Sequence, residues 1–318
     1  MGKYLAPFLK FCVLASFLVP LVLIPSKFIF PFIVPKILTF RVIVLLIAGS
    51  YILLLAGHWR KYRARFTAIN IAVGLFFLSF AVSTFVGVDW YKSFWDNHER
   101  MLGLFTIFHY IVYYVAATSV ISGERDWKWL LRFFLAAGGV VMFIGLLQKM
   151  NPQLLLNFNN PRVSATLGNP IYYSGYGLFL FYIGLLLFWK EKTWNWKYFA
   201  IVGSALGFTG IFLGGTRGTL LGLIVSVGVA MVCYLFCLRG HKKARKMMGI
   251  LVVAGIAIFG LLFAFRHTDF VREIPALGRL LSAPLTSGTG TTRIMAWEIA
   301  VDAWKEKPIF GWGPNNYY

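Results

Sequence analysis

Acidic residues are scarce in this 318-residue chain, which has 11 aspartates and glutamates against 31 lysines and arginines. Only 13% of its residues are charged, whereas 59% are hydrophobic, and the mean hydropathy is +0.72. These proportions exclude an ordinary soluble domain, in which about a quarter of the residues are charged. The sequence therefore predicts an integral membrane protein.

Cysteine is also scarce. Cys12, Cys233 and Cys237 are the three cysteines, and each lies in an apolar stretch, so no disulfide framework is predicted. Cys233, Cys237 and His241 share one face of a helix. Three ligands at this spacing extend over about 12 Å and cannot meet one ion. We therefore predict neither a metal nor another cofactor.

Most of the chain consists of long apolar stretches. A transmembrane helix needs about 20 apolar residues, and stretches of this kind predict an all-α, polytopic bundle of about nine spans. The first stretch could be a signal peptide, but Lys10 and the lack of a small-residue cleavage site before Pro25 favour a retained helix. The spans lie near residues 4–24, 37–57, 67–86, 102–121, 129–148, 171–189, 198–214, 219–238 and 247–265.

The net charge of +20 would indicate a nucleic-acid partner in a soluble chain. Here the basic residues lie mostly between spans without a nucleic-acid-binding motif, so we interpret them as a topology signal and predict no nucleic-acid partner. Alternate connections are basic, which places them and the N-terminus in the cytoplasm. These connections contain Arg60, Lys61, Arg63, Arg65, Arg125, Lys128, Lys190, Lys192, Lys197, Arg239, Lys242, Lys243, Arg245 and Lys246.

The same topology makes the other loops and residues 266–318 extracytoplasmic. We divide the chain into an N-terminal region of about six spans, residues 1–197, and a core region, residues 198–318. The core region has about three spans and the start of a large outer loop. Cytoplasmic-membrane localisation with an extracytoplasmic active face follows as an expectation.

One arginine, Arg217, interrupts the uncharged run from Tyr198 to Leu238. The run is long enough for two helices, so Arg217 marks the turn between them. The surrounding "GGTRGT" contains Gly214, Gly215 and Gly218, which permit close approach of an anion to the backbone. The alternative is an interfacial arginine that reaches the lipid head groups.

Two other outer loops carry polar residues. The stretch "NNPRVSATLGNP", residues 159–170, contains Arg162 and Asn169, which suit phosphate oxygens and sugar hydroxyls but also an ordinary turn. The stretch "SFWDNHERMLGLF", residues 93–105, contains His98, Glu99 and Arg100 within an aromatic belt. These three residues are either acid–base groups or a local ion pair.

The last polar stretch, residues 286–318, predicts a helix from about Arg293 to Trp304, capped by Thr291 or Thr292. Arg293, Trp297, Val301 and Trp304 lie along one face of this helix. We expect the helix to lie on the membrane surface, with its arginine and tryptophans turned toward the bundle.

Four motifs together resemble the O-antigen ligase and polymerase family of bacterial surface-polysaccharide enzymes. They are "NHERMLGLF", "PRVSATLGNP", "GGTRGTLLGL" and "TTRIMAWEIAVDAWKEKPIFGWGPNNYY". The resemblance implies a transferase that takes a glycan from an undecaprenyl-pyrophosphate carrier in the outer leaflet. Ligases pass the glycan to lipid A core, polymerases to another carrier-linked repeat, and relatives to protein hydroxyls.

The resemblance also implies roles for residues. By motif position, Arg217 and Arg293 are the catalytic arginines that hold the pyrophosphate, and we predict that they converge on one outer cavity. A guanidinium group can bind two phosphate oxygens at once and stays charged at any relevant pH. The outer loops lack the Asp-x-Asp motif that would supply oxygen ligands to a metal ion. We further predict five substrate-binding residues, Arg100, Arg162, Asn169, Thr216 and Trp297.

The chain departs from the family pattern where it stops, at Tyr318. The family continues beyond this point, and the histidine that activates the acceptor hydroxyl lies there, so we expect an incomplete chain without its general base. His98 and His267 do not occupy the family position. The expected partners are the lipid-linked donor, a glycan, lipid or protein acceptor, and membrane lipids.

Two other classes stay open. A transporter or flippase for the same lipid-linked glycan would need charged residues near mid-span, for which Arg41, His109 and Arg132 are the candidates. A structural membrane subunit would need none of the motifs.

Overall fold

The fold is that of a computed structural model, which describes residues 2–25, 28–156, 162–237 and 289–316, with scattered positions between 246 and 278. Every regular element in these ranges is helical, as the sequence predicts. The helices are α1 (Gly2–Ser16), α2 (Val34–Tyr62), α3 (Ala68–Val86), α4 (Trp90–Trp95), α5 (Leu104–Val120), α6 (Glu124–Met150), α7 (Pro170–Lys190), α8 (Trp194–Gly214), α9 (Arg217–Cys237) and α10 (Thr289–Glu306).

Seven segments of the described chain are long and apolar enough to cross a membrane. They involve α1 with the short 3₁₀ turn after it, α2, α3, α6, α7, α8 and α9, and α5 is an apolar but shorter helix. Eight of the nine predicted spans therefore correspond to helices, which confirms an all-α polytopic protein. Most of the ninth, residues 247–265, lies outside the described residues.

The helices form two compact units, unit 1 (Met1–Ala137 with Thr286–Tyr318) and unit 2 (Gly138–Leu285). The predicted boundary between residues 197 and 198 follows the family motifs and stays a prediction. In unit 1, α1, α2 and α5 pack through bulky side chains such as Leu9, Ile47 and Leu54, all fully buried. The α1 side of this core also contains an ion pair between Lys10 and Asp126, 2.5 Å apart.

In unit 2, α7 packs against α8 through glycines. A Cβ atom on Gly207 would lie 2.6 Å from the carbonyl oxygen of Gly177, and one on Gly184 would lie 2.7 Å from that of Ala200. Small residues let two helix backbones approach closely, which is a common way to join helices in a membrane. The Ser204 hydroxyl adds a hydrogen bond to the carbonyl oxygen of Phe181 at 2.9 Å.

Candidate functional site

One end of unit 2 gathers several of the predicted site residues. There α6 and α8 end, α7 and α9 begin, and the loop 162–169 connects to α7. We call this region, formed by Gln148, residues 162–170 and residues 214–217, the arginine end. The backbone N–H of Val163 donates to the carbonyl oxygen of Leu213 at 3.2 Å, so the loop is joined to the last turn of α8.

Gln148 fixes the loop from the α6 side. Its side chain is buried, and its Oε1 accepts hydrogen bonds from the backbone N–H groups of Ser164, at 3.1 Å, and Ala165, at 2.8 Å. Buried backbone N–H groups are costly to leave unpaired, so one glutamine holds the loop that starts at Arg162. Sequence reasoning missed Gln148, because a glutamine in the last turn of a span looks like an ordinary interfacial residue.

The turn between α8 and α9 confirms the interpretation of Arg217 as the break between two helices. Gly215 adopts the left-handed conformation with φ +58°, which glycine accepts without a steric penalty. A Cβ atom on Gly214 would lie 2.1 Å from the Ser174 hydroxyl oxygen. Gly215 is therefore required by the turn and Gly214 by the contact between α8 and α7, whereas a Cβ atom on Gly218 would meet nothing within 4 Å.

Thr216 closes the turn. Its hydroxyl donates to the carbonyl oxygen of Pro170 at 3.2 Å and accepts a hydrogen bond from the Ser174 hydroxyl at 3.2 Å. Asn169 caps α7, with its Oδ1 accepting from the backbone N–H of Ile171 at 2.9 Å. Both predicted substrate-binding residues thus also have structural roles at the arginine end.

Two arginines flank Gly215. The Arg162 side chain passes over this glycine, with its Cδ 3.5 Å from where a Cβ atom would stand. Arg217 is the first residue of α9 and is half-buried, and its side chain forms no hydrogen bond or ion pair with the described residues. Arg162 and Arg217 therefore lie at the same turn.

The electrostatics of the arginine end favour an anion. Both α7 and α9 begin there while α6 and α8 end there, so the helix dipoles offset one another and the positive charge comes from the two arginines. The carboxylate of unit 2 that the structure describes, Glu191, follows the opposite end of α7. Two guanidinium groups thus lie at one turn, at the end of α7 opposite to this carboxylate.

In unit 1, the loop that carries Arg100 is held by its own polar residues. The backbone N–H of Leu102 donates to Asp96 Oδ2 at 2.9 Å, and Asp96 has φ +62°. Arg41 anchors the following turn, because its Nη2 donates to the Thr106 hydroxyl at 2.6 Å and its guanidinium lies 4.8 Å from the Phe105 ring centroid. The half-buried Arg41, a candidate for a transport site, therefore holds a loop.

The exposed side chains of this loop are His98, Glu99 and Arg100. Within the described chain no ion pair joins them, so of the two alternatives the local ion pair is not formed. His109, the other histidine weighed for transport, is buried, with its Nδ1 2.7 Å from the carbonyl oxygen of Phe105. The Arg132 guanidinium lies 5.1 Å from the Trp129 ring centroid. His267 lies outside the described residues.

The predicted surface helix exists as α10 and begins at Thr289, so Thr291 and Thr292 lie inside its first turn. The prediction that its arginine and tryptophans turn toward the bundle is wrong for the described structure. Arg293 is exposed, and Trp297 and Trp304 are 72% and 61% exposed. The reason is that apolar residues such as Ile294 and Ile299 occupy other faces of the helix, so no single stripe directs its packing.

The family comparison agrees with the two motifs nearest the C-terminus. Residues 202–318 match a family model described as O-antigen ligase, and this range includes Arg217 and Arg293. The chain matches none of the curated proteins and none of the solved structures. The predicted resemblance is confirmed over residues 202–318, where this multi-pass membrane protein is similar to the O-antigen ligase family.

Proposed function

We propose that the protein is a glycosyltransferase that moves a glycan from an undecaprenyl-pyrophosphate carrier to an acceptor at the extracytoplasmic face of the cytoplasmic membrane. The family match supports an enzyme of the O-antigen ligase and polymerase type that acts on lipid-linked glycans. The proposal adds the identity of the donor, the side of the membrane on which transfer occurs and the roles of individual residues.

The observation that carries the proposal is the arginine end. A pyrophosphate has several oxygens to satisfy, and Arg162, Arg217 and the helix N-termini offer several donors around Gly215. The Arg217 guanidinium has no hydrogen-bond or ion-pair partner in the described chain, so it can bind a ligand without first breaking a bond.

In the reaction, the acceptor hydroxyl oxygen attacks the anomeric carbon of the donor sugar. The bond from that carbon to the pyrophosphate oxygen breaks, the pyrophosphate keeps the electron pair, and the hydroxyl proton passes to a general base. Negative charge grows on the leaving pyrophosphate, so Arg217 and Arg293 stabilise the transition state more strongly than the bound donor. No step of this proposed reaction requires a metal ion.

Four of the remaining predicted residues bind the donor, and the fifth shapes the turn. Arg162 and Arg100 add charge for the pyrophosphate, and the exposed Trp297 offers a ring face to sugar C–H groups. The amide nitrogen of Asn169 can donate to a sugar oxygen, since its Oδ1 is used in the helix cap. The Thr216 hydroxyl is bonded to Pro170 and Ser174, so its contribution is to the geometry of the turn.

The contacts within each unit support the proposed topology. In unit 1, the backbone N–H of Val88 donates to the carbonyl oxygen of Trp312, so two segments predicted as outer lie together. In unit 2, the predicted outer loop 162–170 is joined to the predicted outer turn at Gly214 and Thr216. A wrong count of the spans between two contacting segments would have assigned those segments to opposite sides of the membrane.

The test is transfer of glycan from a lipid-linked donor by the protein in membranes, together with a glycan profile of cells that lack it. A ligase leaves unattached polymer in such cells, a polymerase leaves single repeats, and a transporter leaves the lipid-linked donor on the cytoplasmic side. Donor that reaches the outer leaflet only when the protein is present, with no transfer to any acceptor, would replace the proposal by the transporter alternative.

A further inference from the structure

The C-terminal "GWGPNN" of the described chain, residues 311–316, docks onto the connection between α3 and α4. We call it the docking segment. The backbone N–H of Val88 donates to the carbonyl oxygen of Trp312 at 3.0 Å, and the Ser93 hydroxyl donates to that of Pro314 at 2.8 Å. Ser93 is fully buried, so the contact excludes water and joins parts of the chain that are far apart in sequence.

Asn316 is the centre of this contact. It is 7% exposed, and its Nδ2 group lies 3.0 Å from the Ser93 hydroxyl oxygen, 3.0 Å from the carbonyl oxygen of Trp312 and 3.2 Å from that of Asp89. All three neighbours are acceptors or can accept, which fixes the orientation of the amide. A carboxylate of the same shape would place an oxygen against three oxygens.

Two glycines make the docking possible. A Cβ atom on Gly87 would lie 2.7 Å from the Cα of Gly313, and one on Gly313 would lie 2.8 Å from the Ser93 hydroxyl oxygen. Gly313 also has φ +92°, a conformation that other residues rarely adopt. The two backbones therefore meet without side chains between them.

The docking segment is in turn tied to α10. The Trp312 indole Nε1 donates to the carbonyl oxygen of Ala303 at 2.8 Å, and the Lys307 ammonium lies 4.2 Å from the centroid of the Trp312 ring. The side chains of α10 are mostly exposed, so packing does little to hold this helix. The orientation of α10 depends on the docking segment behind it.

We propose that Asn316 is a positioning residue for glycan transfer, which acts through α10 and the two residues it carries, Arg293 and Trp297. This role rests on the proposed function. Asn316 holds the docking segment against Ser93, Trp312 passes that constraint to Ala303, and the helix that carries Arg293 is thereby held in one orientation. Asn316 does not itself touch the substrate.

The first experiment compares Asn316→Asp with Asn315→Asp in glycan transfer. Both changes replace an amide by a carboxylate, but Asn315 is exposed and makes no hydrogen bond through its side chain in the described structure. We expect Asn316→Asp to lose transfer by roughly tenfold or more, because buried hydrogen bonds are broken and like oxygens face each other. Asn315→Asp should keep the wild-type rate. Equal rates for the two variants at equal protein levels would overturn the proposal.

The second experiment replaces the hydrogen bonds by a covalent bond. In a variant whose three native cysteines are alanine, Ser93→Cys with Asn316→Cys should be weakly active when reduced. It should regain transfer on oxidation or with a short bis-methanethiosulfonate cross-linker, which reacts with both thiols, while each single-cysteine variant should not respond. Failure to cross-link would show that the docking contact is wrong, and cross-linking without recovery would refute the positioning role.

The cross-link also separates this inference from the proposed function. It reports the contact between the docking segment and Ser93 whether or not any glycan is transferred. If wild-type protein transfers no glycan at all, the proposed function fails and the positioning role with it. An active wild type with an equally active Asn316→Asp variant refutes the positioning role alone.

Discussion

The two units of this protein pack their helices by different means. In unit 1, bulky side chains such as Leu9 and Ile47 fill the space between helices, and a Cβ atom on Gly49 or Gly57 of α2 would meet nothing within 4 Å. In unit 2, Gly177, Gly184 and Gly207 form the contact between α7 and α8. Glycine is therefore dispensable at positions 49 and 57 of α2 and required at these three positions.

The same difference extends to the polar residues. In unit 2, close packing of α7 and α8 places the turn at Gly215, and the arginine end is built directly on helix ends. In unit 1, the polar residues belong to loops held by side-chain hydrogen bonds, and α10 with Arg293 is exposed. Helix packing thus prepares Arg217, whereas Arg293 depends on a docked segment.

The largest expected effect comes from Arg217→Lys. Lysine keeps the charge but not the planar fork that grips two phosphate oxygens. We expect a loss of about 2 to 4 kcal/mol of transition-state stabilisation with the protein still inserted and folded. The measurement is glycan transfer from a lipid-linked donor, with Arg63→Lys on the predicted cytoplasmic side as the control.

Near-normal transfer by Arg217→Lys would return this arginine to the role of a lipid anchor, since an anchor needs only charge and an aliphatic stem. The arginine end would then lose its central residue. The transferase proposal would rest on the family match to residues 202–318 alone.

The second prediction concerns the glycine contact between α7 and α8. In Gly207→Ala the new Cβ would lie 2.6 Å from the Gly177 carbonyl oxygen and 2.6 Å from the Phe181 backbone nitrogen. Backbone atoms cannot move aside as a side chain can, so we expect unfolding to become easier by about 3 kcal/mol. Thermal unfolding in detergent, followed by tryptophan fluorescence, measures the change.

Gly49→Ala is the matched control in unit 1. Its Cβ would stand in open space, and alanine is the better helix former, so this variant should be at least as stable as the wild type. If both variants behave alike, the two units do not differ in their packing as described above.

The sequence predicts the features that are local along the chain. Apolar stretches of span length became helices, and an arginine between two glycine-rich helix ends marked the turn at Gly215. The docking of residues 311–316 on Gly87 and Ser93 was not predictable, because periodicity carries no information about contacts between distant segments. For the same reason the sequence showed Arg162 as a loop residue but not that its side chain crosses Gly215.

The direction of α10 was predicted wrongly for a related reason. A four-residue spacing of Arg293 and Trp297 describes a face of the helix, but not what that face meets. Apolar residues also occupy its other faces, so the spacing does not define a single amphipathic face. A hydrogen bond from Trp312, rather than an apolar stripe, connects this helix to the docking segment.

The third prediction tests how the loop of the arginine end is held. Gln148→Leu keeps the size of the side chain but leaves the backbone N–H groups of Ser164 and Ala165 without their acceptor. The cost should be about 2 kcal/mol, and it should fall on the loop that carries Arg162. Hydrogen exchange at these two amides should become faster, with little change in the amides of α1 and α2.

Gln148→Glu separates hydrogen bonding from packing. Glutamate keeps an oxygen where Oε1 lies, so it should protect the two amides better than leucine does. Equal exchange in the leucine and glutamate variants would show that the loop is held by other contacts, such as the hydrogen bond from Val163 to Leu213.

The smallest expected effect compares equivalent glycines in the two units. Gly215 in unit 2 and Gly311 in unit 1 have φ values of +58° and +66°, and a Cβ atom on either would make ordinary contacts, at 3.5 Å and 3.7 Å. Alanine at each position should therefore cost only the strain of the left-handed conformation, about 1 kcal/mol, and the two costs should be equal. Asparagine tolerates this conformation better, so Gly215→Asn and Gly311→Asn should each recover part of the loss. Thermal unfolding of the four variants measures the strain. A much larger cost at Gly215 alone would show that the Arg162 side chain packs there more tightly than a 3.5 Å contact implies, and that the arginine end is the more rigid of the two regions.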